Sequence, residues 1–545
     1  LLLNNNDKTM ITIHFLLLFF GSIGNSCSLQ SLYSEARQVR SLQGHEKALP
    51  LYQEILERNP NDMTAATRIA SDSQGNERHN VFGRGGNKLQ RLRFIQLLES
   101  FGWNNNTIAD LIFSSNEIQA TRAKSSSAPL FLQPLRAGTQ SPSPPTCSLS
   151  ACIQLLLLAI CIPKTICIKL LGNEFVELLQ ELGIAFTSDK NNLLVPYVHI
   201  FPVIVNDKTI YVATDLHPNV LSLTTVGNDN NRSSSLVNNG TVMYIGPDSL
   251  ALIDHWSSLM ASNIKARDII VDIGVGSGVQ ALSLIALSSG KTTVKCVDIN
   301  QRALRFTKLN FEWNNFDEPT LLLGDINQPF GRIFESDDEP KPWKQLLSNS
   351  VTCIVSNPPF LPVPIHNPRI SSRYGSFSSG GLTGEEFFES LVRLASEVLD
   401  RSDPSATLAV VSEFMNPQGD FPLRLSSWWG DGGPAQALLF TNEQAISATT
   451  YAQRRADSTK EIIEWKQHLH QECINHISPG LLFMKRRKEN GHYETPQAGK
   501  NADEETLVDM THRLVPKTTE GSIWTPTNRY ARSFTRQSIL EFLCP

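Results

Sequence analysis

Residues 269–285 read IIVDIGVGSGVQALSLI, and the order of residue types in that stretch decides the fold. A short apolar run, a turn carrying Gly274, Gly276 and Gly278, and a second apolar run of helical length predict strand, tight loop and helix. Glycines at such a place let the backbone turn sharply and approach a ligand, whose polar groups face the N-terminal dipole of the following helix. A nicotinamide fingerprint, G-x-G-x-x-G, would want its third glycine at position 279, which is Val279. The pattern here is D-x-G-x-G-x-G, headed by Asp272.

Downstream, strand-like and helical stretches alternate. TVKCVDIN (293–300) precedes QRALRFTKLNFEWN (301–314), then come TLLLGD (320–325), VTCIVSNPPF (351–360), EEFFESLVRLASEVL (385–399) and ATLAVVSEF (406–414). Such alternation means βαβ units, a parallel sheet and helices on both faces. Two later strands, AQALLFTNE (435–443) and GLLFMKRR (480–487), flank a long helical insertion, 443–477. The second strand ends in Asp298, placed to accept both ribose hydroxyls of an adenosine, and the third in Gly324-Asp325, placed to accept from an adenine amino group. A single acid after a strand is more often a turn or cap residue. Asp272, Asp298 and Asp325 at successive strand ends form a series on the carboxyl edge, where open α/β sheets bind ligands.

With these motifs in order, VDIGVGSG, VDIN, LLLGD and VSNPPF, residues 243–485 resemble Rossmann-like methyltransferases of the methyltransferase small domain group. The resemblance implies a seven-stranded α/β domain over 243–487 and S-adenosylmethionine as cofactor. It sets Asp272, Gly274, Gly276 and Gly278 around the methionine part, Asp298 at the ribose and Asp325 at the adenine. The segment MYIGPDSLALID (243–254) is similar to the one that closes over the cofactor, with Gly246 and Asp248 as contacts.

VSNPPF then acquires a role. Two prolines remove two backbone donors and end a strand. By the same resemblance Asn357 lies beside the transferable methyl group. Its side-chain oxygen and the Pro358 carbonyl would hold the N–H groups of a planar nitrogen, with Phe360 stacking on the flat acceptor. Motifs of this form occur in enzymes that methylate amino groups of nucleobases in RNA or DNA, and in others that methylate a glutamine amide of release factors. Phe360 in place of tyrosine tilts the expectation toward nucleobases. The loop RYGSFSSGGLTGEEF (373–387) is expected in the acceptor pocket, with Gly380, Gly381 and Gly384 as flexible points. A cofactor-binding scaffold without catalysis is the rival of another class; the intact aspartate series and NPPF argue against it.

Composition sets outer limits. The chain has 545 residues, 41% hydrophobic and 19% charged, which is ordinary for a globular protein of several domains. Net charge is −5, so no bulk basic field draws it to nucleic acid or acidic membranes. Only RGGNKLQRLR (84–93) and KRRK (485–488) offer local positive charge to a macromolecular acceptor. Nine cysteines include no C-x-x-C pair, so they read as free buried thiols, and no metal is expected.

The remainder divides by texture. Residues 1–30 hold an apolar stretch, MITIHFLLLFFGSIGNSCS from Met10, that reads as a signal peptide or signal anchor, or as a mispredicted start. The first implies a secretory or organelle route, the second the cytoplasm. Residues 31–70 contain a hairpin in which Ala36, Gly44, Ala48, Tyr52 and Pro60 resemble one tetratricopeptide repeat, although Pro50 departs from it. It either binds a protein partner or packs on the rest of the chain. Residues 71–150 read as linkers around one helix marked by Phe94, Leu97 and Leu98. Residues 151–222 read as an accessory α+β, winged-helix-like domain: buried helices over 152–172, an amphipathic helix, then strands turning at Asn206-Asp207. A loop at 223–241 and a polar, mobile tail at 488–545 complete the chain.

Overall fold

The computed structural model describes residues 31–32, 35–36, 39, 45–58, 86–112, 144–188, 192–205, 208–216, 242–243, 245–253, 268–288, 292–348, 350–371, 378–433, 435–441, 445–456, 458–486 and 507–509. The expected N-terminal signal, the turn at Asn206-Asp207, the loop 223–241 and the cores of both linkers lie outside the described residues. Two compact units emerge, residues 1–203 with 211–238, and residues 204–210 with 239–545.

The first unit holds helices α1 (His45–Arg58), α2 (Lys88–Ser100), α3 (Asn105–Ile112), α4 (Ser148–Cys152), α5 (Lys164–Leu171) and α6 (Asn173–Glu181). Its strands β1 (Ile162–Pro163), β2 (Ala185–Ser188) and β3 (Leu193–Pro196) form a sheet in the order β1-β3-β2. Helix α2 starts at a reciprocal cap: Asn87 Oδ1 accepts from the Gln90 amide at 2.9 Å, and Gln90 Oε1 accepts from the Asn87 amide at 2.8 Å. Its buried Phe94 stacks on Phe175 of α6 with centroids 5.2 Å apart. The stretch 152–172, expected as helices, is buried but broken. A π-helical turn (Ile153–Leu157) continues α4, then β1 intervenes before α5. The break comes at Ala159, whose φ of 55° leaves the helical region, and Pro163, with φ −52°, stands as the residue before α5. Among the described residues no helix is long and apolar enough to cross a membrane. Of the repeat-like hairpin, α1 with its internal Pro50 is described, and Ala36 and Tyr52 are buried; Gly44 and Pro60 lie outside the described residues. Strands β4 (Val198–Val205) and β5 (Lys208–Asp215) pair with each other.

The second unit runs α7 (Pro247–Leu252), β6 (Ile269–Ile273), α8 (Val279–Leu287), β7 (Thr293–Asp298), α9 (Gln301–Trp313), β8 (Thr320–Leu323), β9 (Phe330–Ile333), β10 (Lys341–Pro342), α10 (Trp343–Leu347) and β11 (Cys353–Ser356). It continues with α11 (Pro368–Ser371), α12 (Glu386–Val398), β12 (Thr407–Met415), α13 (Phe421–Trp429), β13 (Ala435–Thr441), β14 (Ile446–Ser447), α14 (Ala448–Arg455), α15 (Thr459–Gln471), β15 (His476–Arg486) and β16 (Leu507–Asp509). Among the described residues eleven strands make one sheet, ordered β10-β9-β8-β7-β6-β11-β12-β15-β13-β16, with β14 on β15. Strands β8, β7, β6, β11 and β12 are parallel, and β15 enters antiparallel between β12 and β13. The expected seven strands are the centre of this sheet. The extra pair β9–β10 covers one edge, and β16 covers the other by pairing with β13. Residues 507–509 therefore depart from the polar tail expected there: an open edge strand offers unpaired N–H and C=O groups, and Leu507-Val508 supplies partners.

Alternation along the strands buries both faces. Val271, Val297, Leu322, Ile354, Leu408 and Leu482 pack with Phe388, Leu391 and Val398 of α12 and Phe421 and Trp428 of α13. The alternate residues Ile270, Cys296, Val355 and Ala409 are buried as well, as a doubly covered sheet requires. A second apolar cluster joins Leu361, Val363 and Met415 to Tyr451, Trp465 and Leu469 of the insertion helices α14 and α15.

Candidate active site

The chain order reverses at β6: β7 lies on one side and β11 on the other. At such a switch point the loops leaving the strand ends diverge and open a crevice. Ser356 Oγ closes the floor by donating to the Ile273 carbonyl at 2.6 Å, joining the ends of β11 and β6. A cavity of about 390 Å³ opens above it, lined among others by Gly274, Gly276, Asp298, Asp325 and Asn357.

The glycine loop is held by carboxylates. Asp298 Oδ2 accepts from the Gly276 amide at 3.0 Å, and its Oδ1 accepts from the Asn300 amide at 2.8 Å. Burial pushes the Asp298 carboxyl from 3.8 up to about 6, against the pull of those amides. Gly278 has φ 79°, in the left-handed region, and a side chain there would press a Cβ to 3.0 Å from Thr307 Cγ2. Asp272 sits lower. Its Oδ2 accepts from the Ala281 amide at 3.0 Å and so caps the first turn of α8, while Oδ1 is buried without a partner. Burial, reinforced by the charge of Asp298, raises its carboxyl well above the usual range. Asp272 is thus beneath the loop and does not line the cavity. Asp325 lines it, and its Oδ1 also accepts from the Asn327 amide at 2.9 Å.

On the other side of the switch point, Asn357 follows β11 and lines the cavity. Its Nδ2 donates to Asp248 Oδ2 and to Ser249 Oγ, both at 2.9 Å. Gly246 is the N-cap of α7, and a Cβ there would fall 2.2 Å from Asp248 Oδ1. The residues expected to contact the cofactor from this segment, Gly246 and Asp248, do not line the cavity; Ser249 does. Pro358 is buried and Pro359 lines the cavity. The Phe360 ring packs on the second apolar cluster and not on the cavity.

Ser379, Gly380 and Gly381 of the glycine-rich loop line the cavity, and its glycines serve close approach. A Cβ on Gly380 would be 2.5 Å from the Gly384 oxygen and 2.8 Å from the Pro359 oxygen. A Cβ on Gly384 would be 2.6 Å from the Phe360 oxygen. These are backbone atoms that cannot swing aside. Residues 372–377 of that loop lie outside the described residues.

Sequence reasoning missed four contributors. Ile299 is 62% exposed and lines the cavity with Ile326, which gives apolar surface beside two carboxylates for a flat ring. Phe387, next to buried Phe388, lines the cavity while also packing against the main core cluster. Gln280 lines the cavity with a buried, unpartnered Nε2. The signals were an isoleucine directly after an acid at a strand end and a doubled aromatic, both of which read as core by period alone. The cavity fits an adenosyl sulfonium amino acid in kind: carboxylate acceptors, apolar walls, and the orphaned Gln280 Nε2 on its lining. Among the described residues no group of His, Cys, Asp and Glu is placed to hold a metal ion.

Comparison with known proteins agrees in kind. Residues 248–364 match the family described as methyltransferase small domain. No curated protein matches the chain. Solved structures similar to it include a methyltransferase from Pyrococcus furiosus, at 13% identity over 50% of this chain and 100% of that one, with a TM-score of 0.25. Geranyl diphosphate C-methyltransferase from Streptomyces coelicolor is 9% identical over 48% and 86%, with a TM-score of 0.25. Ribosomal protein L11 methylase from Lactobacillus delbrueckii subsp. bulgaricus is 12% identical over 44% and 78%, with a TM-score of 0.23. The sheet is a Rossmann-like α/β arrangement, and the methyltransferase small domain match, residues 248–364, falls on its glycine loop and the NPPF segment.

Proposed function

We propose that the chain methylates a planar nitrogen, an exocyclic amine of a nucleobase or a side-chain amide, and that Asn357 is the residue that receives it. The observation that carries this reading is the place of NPPF: Asn357 and Pro359 line the cavity at the switch point, on the side opposite the Asp298 and Asp325 strand ends. When bound, S-adenosylmethionine supplies an electrophilic methyl group on a sulfonium. Asp298 and Asp325 would hold its ribose and adenine ends, with Ile299 and Ile326 against the ring.

A planar nitrogen is a weak nucleophile because its lone pair is delocalised. Hydrogen bonds from its N–H groups to fixed oxygens favour the pyramidal, more nucleophilic form and hold it in line, which is where such a site acts. Asn357 Oδ1 and the Pro358 carbonyl are the oxygens for this task, and the two prolines stiffen the backbone that carries them. The packing of Phe360 on Val363, Trp465 and their neighbours gives it a supporting place, so stacking on a nucleobase would need that ring to move.

Labelled S-adenosylmethionine incubated with the protein and separated RNA, DNA and protein fractions of a cell extract tests the reading. Asn357→Ala should lower transfer by about a hundred- to a thousandfold, with cofactor affinity nearly intact. Transfer at the wild-type rate by that variant would refute it. The fraction that takes label decides between nucleobase and amide.

A further inference from the structure

We infer that Asp248 and Ser249 of α7 are positioning residues that fix the Asn357 amide with its carbonyl oxygen as the one atom left for the acceptor. The inference rests on the nitrogen-methylation reading and sharpens it, because it specifies what the acceptor has to present. An asparagine amide has two N–H donors and one carbonyl acceptor. Both donors of Asn357 are engaged, by Asp248 Oδ2 and Ser249 Oγ at 2.9 Å each. A serine hydroxyl accepts or donates and would tolerate either amide orientation. An ionised carboxylate accepts only, so Asp248 is the group that decides which way the amide faces. Asn357 lines the cavity, and Oδ1 is the remaining polar atom of its side chain.

The side chain of Asp248 is itself held in place. It stands in the first turn of α7, where a negative charge is favoured by the helix dipole. Gly246 leaves room for its Oδ1, since any Cβ there would fall 2.2 Å from that atom. Asn357 is therefore an acceptor by construction. An N–H is drawn to it, whereas an acceptor molecule that presents a lone pair, such as a carboxylate or an ether oxygen, meets a carbonyl oxygen head-on. The substrate class this selects is a nitrogen bearing at least one hydrogen. The segment 245–253 also becomes part of the transfer site through this contact, and not only a cover for the cofactor.

Single-turnover transfer from labelled S-adenosylmethionine to the extract fraction that takes label tests this, with cofactor affinity followed by calorimetry. Asp248→Ala should slow transfer by about a hundredfold, the scale of a small misplacement of a reacting group, and change cofactor affinity by less than about twofold. The decisive pair is Asn357→Asp and Asn357→Asp with Asp248→Asn. The first sets two carboxylates against each other and should transfer no better than Asn357→Ala. The second restores the hydrogen bond with donor and acceptor exchanged, and should transfer at least about tenfold faster than Asn357→Asp alone. A merely structural role for Asp248 would show in the thermal transition and would not be rescued by the exchange. If Asn357→Ala is inactive while Asp248→Ala transfers normally, or if the exchange rescues nothing, this inference falls and the nitrogen-methylation reading stands. If Asn357→Ala itself transfers normally, both fall.

Discussion

Asp298 allows a prediction in which a near-isosteric change does most of the damage of a truncation. Both of its oxygens accept from backbone amides, Gly276 at 3.0 Å and Asn300 at 2.8 Å. Asparagine keeps the shape but supplies one acceptor, and turns an NH₂ group toward the other amide. A hydrogen bond to a charged group contributes roughly 1.5–3 kcal/mol. Asp298→Asn should therefore weaken S-adenosylmethionine by about tenfold or more, because the glycine loop loses one tie and the ribose loses its charged acceptor. Asp298→Ala should weaken it further. The pH dependence has a definite sign. The folded carboxyl titrates near 6, raised from 3.8 by burial. Its contribution to the stability of the cofactor-free protein is thus fully present below about 3.8 and is lost as pH rises through 6. With Asp298 in the proposed role of ribose acceptor, cofactor affinity runs the other way, since the ionised form is the better acceptor. One proton must leave below pH 6, which costs about a factor of ten in affinity per pH unit. Calorimetric titration of wild type and Asp298→Ala at pH 7.0 and about pH 5 isolates the group, because the titration of the cofactor itself cancels in the comparison. The wild type should lose about tenfold more affinity on acidification than the variant. Equal losses in the two proteins, or unchanged binding by Asp298→Ala, would refute the assignment.

Two further substitutions test how the acceptor side is held. Gly380→Ala forces a Cβ to 2.5 Å from the Gly384 oxygen and 2.8 Å from the Pro359 oxygen, so it should cost about 1–3 kcal/mol in urea denaturation and shift the NPPF wall. Arg424→Ala leaves the buried Glu385 carboxylate without its two-pronged partner at 2.9 and 3.0 Å, and should cost about 3–5 kcal/mol by the same measurement.

The parallel core was legible because four of its five strands, β6, β7, β8 and β11, end in a chemical marker. Glycines, Asp298, Gly324-Asp325 and NPPF each stop an apolar run, and the fold sets those stops along one edge. What the sequence did not disclose depends on contacts between distant residues. Asp272, Asp298 and Asp325 look alike in the sequence, yet Asp272 caps α8 beneath the loop while the other two line the cavity. Only the register of β6 against α8 separates them. Nor did the sequence disclose that the Asp248 carboxylate accepts from Asn357, 109 residues away. Strand β16 was hidden for a related reason, since three residues in a polar context form a strand only because β13 offers an open edge.

The two prolines after Asn357 act together with the segment 361–363. Without N–H groups they cannot extend β11 between β6 and β12, so the chain leaves the sheet at the cavity. It pairs at once with the glycine loop instead: Leu361 donates to the Ser378 carbonyl at 2.9 Å, Gly380 to Leu361 at 3.0 Å, and Val363 to Gly381 at 3.0 Å. That strap is braced from behind by the insertion. The His468 ring meets the Leu382 carbonyl at 2.9 Å, and Asn367 donates to Glu464 at 2.9 Å. Helices α14 and α15, which looked like an interruption between two strands, therefore support the NPPF wall of the cavity, while the opposite wall is built from the parallel strand ends. Changes in α15 should act on the NPPF wall through Leu361 and Val363 and leave the glycine loop at β6 undisturbed, because the apolar cluster and the hydrogen bonds of that helix join it to the strap, whereas Asp298 and the Val297 carbonyl of β7 tie down the glycine loop.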